Sequence, residues 1–146
     1  MLLLINYNSL TLAYIGDAVY ELYIRNYLVN KGIVKVNNLQ HEAIKYVSAV
    51  AQRQKLEYLI NINSLTKEEL DICYRARNHN GTRHPKNTDI ITYKYATAFE
   101  AIIGYLYVNK QYDRLDKILE LMKKLSYWIV QEFCGLKLTL VMLLLI

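Results

Sequence analysis

Residues 95–108 form the stretch that most constrains how this chain can fold. The stretch contains no Lys, Arg, Asp or His, and Glu100 is its only charged side chain. A segment that is apolar on every face predicts a helix that is buried on all sides. An ionised carboxylate in such a helix is costly unless it is paired or binds a metal ion. The sequence therefore predicts that another part of the chain supplies a partner for Glu100.

Residues 12–24 show the same pattern, because Asp17 lies in an apolar helical repeat with Glu21 one turn further on. We expect the two helices to cross in the core and to hold a metal ion between Asp17 and Glu100. Two carboxylates on neighbouring buried helices suit a hard cation such as Mg²⁺, which prefers oxygen ligands.

A glycine accompanies each of these acids. Gly16 precedes Asp17, and Gly104 lies one turn after Glu100. A glycine in a helix costs ~1 kcal/mol relative to alanine, and it is favoured where two helix backbones must approach closely. The alternative is that the acids are buried acceptors of tyrosine hydrogen bonds and that the glycines serve packing only. Spacing alone does not separate the two interpretations.

Glu21 also has two interpretations. It lies four residues after Asp17 on the same helix face, where it could orient a metal-bound water. It is also four residues before Arg25, so it could be an ordinary exposed glutamate in an ion pair. The spacing slightly favours the ion pair.

Every charged side chain between residues 75 and 86 is basic. The cations are Arg75, Arg77, Arg83 and Lys86, with His79 and His84 between them. Cations on a glycine-bearing loop beside a metal site are typical of phosphate recognition. The alternative is a solvated loop between helices. Because the run leads directly into the Glu100 helix, we favour phosphate contacts, with the histidines contacting phosphate or solvent.

Composition favours an all-helical protein. Hydrophobic residues make up 53% of the chain, which has only five Gly and one Pro. The net charge of +5 allows an anionic partner. Cys73 and Cys134 form no metal-binding or disulfide pattern, which favours the reducing cytoplasm. No apolar run reaches the ~20 residues of a membrane span, and the first residues lack the charged leader of a signal peptide.

The pattern predicts one domain over residues 1–135, followed by an apolar tail over 136–146 to which we assign no role. A capping box at Thr66 and Glu69 predicts one helix start, and Gly32 predicts a helix end. The predicted helical regions are 9–29, 39–60 with a break near Ala51, 66–77, 88–110 and 112–132.

The acidic motifs carry a family resemblance. Residues 15–21, Ile-Gly-Asp-Ala-Val-Tyr-Glu, resemble the signature helix of the ribonuclease III catalytic domain. Residues 98–105, Ala-Phe-Glu-Ala-Ile-Ile-Gly-Tyr, resemble the second acidic motif of that family. Residues 75–78 and 85–89 are similar to the small bacterial subgroup called Mini-ribonuclease III. The likeness covers residues 10 to 125, and the joint order of the motifs makes it specific.

The resemblance implies an all-helical homodimer that cleaves double-stranded RNA with Mg²⁺ and leaves 5′-phosphate and 3′-hydroxyl ends. It implies a chain without a separate double-stranded-RNA-binding domain and a role in maturation of large-subunit (23S) ribosomal RNA. A ribosomal protein is a candidate partner. Asp17 and Glu100 match the catalytic, metal-binding acids of the two motifs, and the basic residues 75–86 would contact RNA.

The chain departs from larger ribonuclease III enzymes at two positions. Those enzymes carry two more acids, and Ala13 and Thr97 stand at the corresponding places here. Neither can replace a carboxylate, which puts a full two-metal site in doubt. Mini-ribonuclease III members resemble this chain in lacking the two acids, so we retain the enzyme prediction. Thr97 and Glu21 are expected around the metal ligands.

Two other functions are alternatives to a nuclease. A non-catalytic RNA- or ribosome-binding module on the same fold would not need Asp17 and Glu100. A structural helical protein using its apolar tail for association would not need the basic loop. Mg²⁺-dependent cleavage of duplex RNA separates the nuclease from both, and salt-sensitive binding without cleavage would select the binding module.

Overall fold

A computed structural model describes residues 7–80 and 85–132, with side chains described up to residue 126. All regular structure in these residues is helical, which confirms the predicted fold class. The six helices are α1 Ser9–Asn30, α2 Val36–Val47, α3 Ala49–Asn61, α4 Lys67–Arg77, α5 Ile90–Val108 and α6 Tyr112–Glu132.

Helix α5 is the centre of the bundle, as its largely apolar sequence predicts. It packs mainly against α1, α3 and α4, and more lightly against α6. Ten of its residues are buried, among them Phe99, Ile103 and Leu106. The carboxyl-terminal end is less enclosed, because Tyr107 is exposed. The predicted burial on all sides is confirmed only in part, because the middle of the helix is enclosed except at Glu100, which is partly exposed.

The backbones of α1 and α5 touch where they cross. A Cβ atom added at Gly16 would overlap the carbonyl oxygen of Glu100, and one added at Gly104 would overlap the carbonyl oxygen of Leu12. Any side chain at either glycine would therefore push the helices apart. The predicted crossing and its dependence on glycine are both confirmed.

Local capping sets several helix ends, and the predicted capping box at Thr66 and helix end at Gly32 are confirmed. The Thr66 side chain accepts a hydrogen bond from the Glu69 amide at 3.2 Å, and the Glu69 carboxylate accepts one from the Thr66 amide at 2.9 Å. Gly32 follows α1 with a φ of +92°, a conformation that glycine adopts without steric cost. Asp89 caps α5 by accepting from the Thr92 amide at 2.9 Å.

The predicted region 39–60 was partly wrong. It is two helices, α2 begins at Val36, and the break falls at Ser48 and not near Ala51. Ser48 is extended, with ψ of 152°, and its hydroxyl accepts a hydrogen bond from the Ala51 amide at 3.2 Å. Because the Ser48 side chain caps α3, the preceding helix ends at this residue. The apolar repeat of the sequence does not show this break.

A fully buried lysine was not predicted. Lys55 is only 1% exposed. Its Nζ donates to the Tyr46 carbonyl at 2.8 Å and to the Tyr20 hydroxyl, between the rings of these tyrosines. Burial lowers its pKa to about 7.

No helix in the described residues is long and apolar enough to cross a membrane. The predicted tail 136–146 and the domain boundary at 135 lie outside the described residues.

Candidate functional site

The crossing of α1 and α5 brings Asp17 and Glu100 together, as predicted from the sequence. Burial, and then the negative charge of Asp17, raises the pKa of Glu100 to about 8. The pKa of Asp17 is also raised, first by burial and then by the charge of Glu21. A hydrogen bond between the two carboxyl groups lowers the pKa of Asp17 and raises that of Glu100. Both shifts favour a protonated carboxyl group in this pair when no cation is bound.

The surroundings of the two acids correct one expectation. Glu100 is only partly buried and Asp17 is exposed, so the pair opens to solvent on one side of the bundle. Among the described residues neither acid has an ion-pair partner. Within the described residues, the tyrosine hydroxyls that donate hydrogen bonds do so to the Tyr46 carbonyl, Glu120 and Glu68. The alternative in which tyrosines hold the acids therefore finds no support.

The ion pair predicted for Glu21 is confirmed, and its role around the metal ligands stays a prediction. Its carboxylate pairs with Arg25 at 3.2 Å on the exposed face of α1, as the spacing favoured. The negative charge of Glu21 nevertheless raises the pKa of both Asp17 and Glu100, so Glu21 adds to the negative charge around the acid pair.

Thr97 lies close in sequence to Glu100, but its hydroxyl is engaged elsewhere. Its Oγ1 donates to the Tyr93 carbonyl one turn back, at 2.9 Å. Thr97 is buried, and its role around the metal ligands stays a prediction.

Gln52 of α3 is a polar residue of the site that the sequence reasoning missed. It is 2% exposed, and its amide lowers the pKa of Glu100, opposing the effects of burial and Asp17. The sequence signal was weak, because Gln52 shares its helix face with Lys55 as well as with Leu56.

The acid pair fits a divalent cation that keeps much of its water. In residues 7–80 and 85–132, no three His, Cys, Asp or Glu side chains are arranged to hold an ion. Mg²⁺ is commonly bound through one or two carboxylates and retains several waters, so two acids satisfy its needs. Burial is the largest cause of the raised pKa of each acid and a neighbouring negative charge is the next, so a cation between them would favour their ionised forms.

The structure describes only some of the basic residues predicted to contact RNA. Arg83 and His84 lie outside the described residues. Arg75 and Lys86 are exposed, and the Arg75 Nε donates to the Asp71 carbonyl at 3.4 Å. The Arg77 guanidinium lies 4.9 Å from the Tyr74 ring centre and 5.7 Å from that of Tyr95.

A cavity of about 250 Å³ opens beside Arg77. Besides Arg77, it is lined by Asn78, Ile91, Lys94 and Tyr95. We call these five residues the basic pocket. Arg53 reinforces it, because its guanidinium lies 5.3 Å from the Tyr95 ring centre while it pairs with Glu57 at 2.9 Å. Lys94, Tyr95 and Arg53 were not predicted, because they belong to other helices and only the fold brings them to Arg77.

Comparison with known proteins places this architecture in a family. The sequence-family model named Ribonuclease III domain matches residues 10–111 of this chain. A crystal structure of a protein from Fusobacterium nucleatum superposes with a TM-score of 0.73 at 34% identity, covering 82% of this chain and 94% of that one.

Curated relatives narrow the assignment. Mini-ribonuclease 3 of Streptococcus pneumoniae is 40% identical over 88% of this chain and 94% of its own length. Mini-ribonuclease 3 of Staphylococcus aureus is 48% identical over 77% of this chain and 84% of its own. The chain therefore belongs to the ribonuclease III family and, within it, to the Mini-ribonuclease 3 group.

Proposed function

We propose that this endoribonuclease of the ribonuclease III type cleaves double-stranded RNA with Mg²⁺, in the maturation of the 23S ribosomal RNA precursor. The observation that carries the proposal is the Asp17–Glu100 pair. The close helix crossing holds two carboxyl groups together without a basic partner among the described residues. Their mutual repulsion disfavours two charges in the free protein and is relieved by a divalent cation.

Asp17 and Glu100 would hold the ion, and Glu100 would release its proton when the ion binds. A bound Mg²⁺ supplies an activated water and neutralises charge that develops on the phosphate. The protein contributes rigidity, because both acids stand on helices whose backbones are in direct contact. Two carboxylates suffice for one ion, and we propose one cation per site.

The basic pocket would receive a phosphate of the RNA backbone. Arg77 and Lys94 have no acidic partner among the described residues, so their charges are available to an anion. Duplex RNA presents mainly phosphates and 2′-hydroxyls, so such contacts read shape more than sequence. Further contacts to the same RNA strand are predicted within or next to the loop that leads to α5, from Arg75, Arg83, His84 and Lys86.

A homodimer is the proposed assembly. Tyr14 is 82% exposed and Leu22 60% exposed on α1, and the two lie eight residues apart on one helix face. A groove of about 410 Å³ lies between α1 and α2, and the exposed side chains of Val36 and Ile44 line it. Exposed apolar surface of this kind is typical of an interface. We expect light scattering at micromolar concentration to give twice the chain mass, and a monomer mass would refute the dimer.

The test of function is cleavage of a labelled RNA duplex compared with its single strand, in Mg²⁺ and in EDTA. We expect cleavage only of the duplex and only with Mg²⁺, with 5′-phosphate ends. Salt-sensitive duplex binding without cleavage would select the binding module in place of the nuclease. A ribosomal protein partner and a cytoplasmic location remain predictions.

A further inference from the structure

Gln52 carries a buried oxygen that the fold leaves without a hydrogen bond. The side chain is 2% exposed. Its Nε2 donates to the Val47 carbonyl at 3.2 Å, while its Oε1 is buried and has no donor in the described structure. Buried polar atoms are nearly always hydrogen-bonded, so an unpartnered amide oxygen calls for an explanation.

The location of Gln52 supplies one. Its amide lowers the pKa of Glu100 by favouring the ionised carboxylate, which indicates that the two side chains are neighbours. Helix α3, which carries Gln52, packs directly against α5. A third helix therefore reaches the acid pair formed by α1 and α5, and it does so with a neutral side chain that can donate and accept.

We propose that Gln52 is the third residue of the cation site, where its amide nitrogen fixes Glu100 and its oxygen accepts a hydrogen bond from a water bound to the cation. This inference rests on the proposed function, since it requires a cation between Asp17 and Glu100. A magnesium ion that keeps most of its waters needs such acceptors around it. The missing partner of Oε1 is then the water that arrives with the ion.

A purely structural role explains less. The hydrogen bond from Nε2 to Val47 ties α3 to the end of α2, but Ser48 already caps α3 through the Ala51 amide. Neither contact needs the Gln52 oxygen. An apolar side chain of the same length would fill the space without burying an unpaired oxygen.

The experiment measures cation binding by the full chain without RNA. Mn²⁺ is titrated into the wild type and variants and followed by electron paramagnetic resonance, with competition by Mg²⁺. We expect Gln52→Met to weaken binding by ~10-fold, the lower range for outer-shell partners of metal ligands. The matched control is Gln54→Met, an exposed glutamine on the same helix, which should bind as the wild type does. Asp17→Asn marks the loss of the site.

Folding and rescue are controlled in the same series. Circular dichroism and melting in EDTA show whether Gln52→Met remains folded. Gln52→Glu retains an oxygen at the same place, and we expect it to bind Mn²⁺ at least as tightly as the wild type. If Gln52→Met unfolds, weaker binding by a folded Gln52→Glu variant overturns the proposal.

Several outcomes separate this inference from the proposed function. Wild-type affinity in folded Gln52→Met overturns the role of Gln52 even if the enzyme cleaves duplex RNA. Absence of Mn²⁺ binding by the wild type overturns it as well. If binding depends on Gln52 but duplex RNA is not cleaved, the proposed function fails and the cation site with Gln52 stands.

Discussion

The helix crossing and the basic pocket differ in how each is held in place. At the crossing, Gly16 and Gly104 set the distance between the acids through backbone contact. At the pocket, the Arg77 guanidinium rests on the Tyr74 and Tyr95 rings and is placed by side-chain packing. The first arrangement gives little room for adjustment, whereas long cationic side chains can follow a moving strand. Rigidly held carboxylates suit the binding of a cation, and adaptable cationic side chains suit contacts with an RNA backbone.

The sharpest way to break this comparison is to neutralise the acids without changing their shape. We expect Asp17→Asn and Glu100→Gln each to reduce cleavage by more than ~100-fold, beyond the loss typical of outer-shell partners. Duplex binding should remain, because the basic pocket is unaltered. Thermal melting in EDTA should be unchanged or higher, since one of two like charges is removed. Near wild-type cleavage by either variant would contradict the site assignment.

The second test removes the close backbone contact. We expect Gly16→Ala to destabilise the fold by about 1–3 kcal/mol or more, because the added Cβ would overlap the Glu100 carbonyl. Gly32→Ala is the control. It strains a residue at φ of +92° that has open space around it, so it should cost only about 1 kcal/mol. Urea unfolding measures both, and equal losses would show that the crossing is more compliant than its geometry indicates.

The third test is the pH dependence of stability without metal. The pKa of Glu100 is raised from 4.5 to about 8 in the fold, so between these values the native state holds a proton that the unfolded state has lost. The free energy of unfolding should therefore fall as pH rises through this window, by up to about 1.4 kcal/mol per unit, and level off above it. Glu100→Gln should flatten the profile. An identical slope in this variant would assign the proton elsewhere.

The smallest effect is expected at the basic pocket. Arg77→Ala with Lys94→Ala should weaken binding to every duplex and reduce the log–log salt slope by about one unit per lost phosphate contact. The cleavage rate at saturating RNA should change much less. Arg83→Ala with Lys86→Ala tests the adjoining loop in the same way. Normal binding combined with slow turnover would move either set from RNA contact to catalysis or assembly.

Sequence reasoning was most accurate where the backbone is constrained locally. The helical class, the start of α4 at the Thr66 capping box and the pairing of Asp17 with Glu100 were all anticipated. Each rests on a signal carried by neighbouring residues: a largely apolar helix, a cap, or a glycine beside an acid. The break at Ser48 was placed three residues too late, because apolar periodicity continues across it and the cap is decided by one hydroxyl.

The sequence by itself determined that this chain is helical, that two of its helices carry lone acids, and that glycines allow those helices to touch. Only the tertiary structure decided which other side chains join them. Gln52 reaches Glu100 because α3 packs on α5, and Lys94 and Tyr95 meet Arg77 because α4 and α5 lie side by side. Such meetings depend on helix packing between residues distant in sequence, and no local pattern records them.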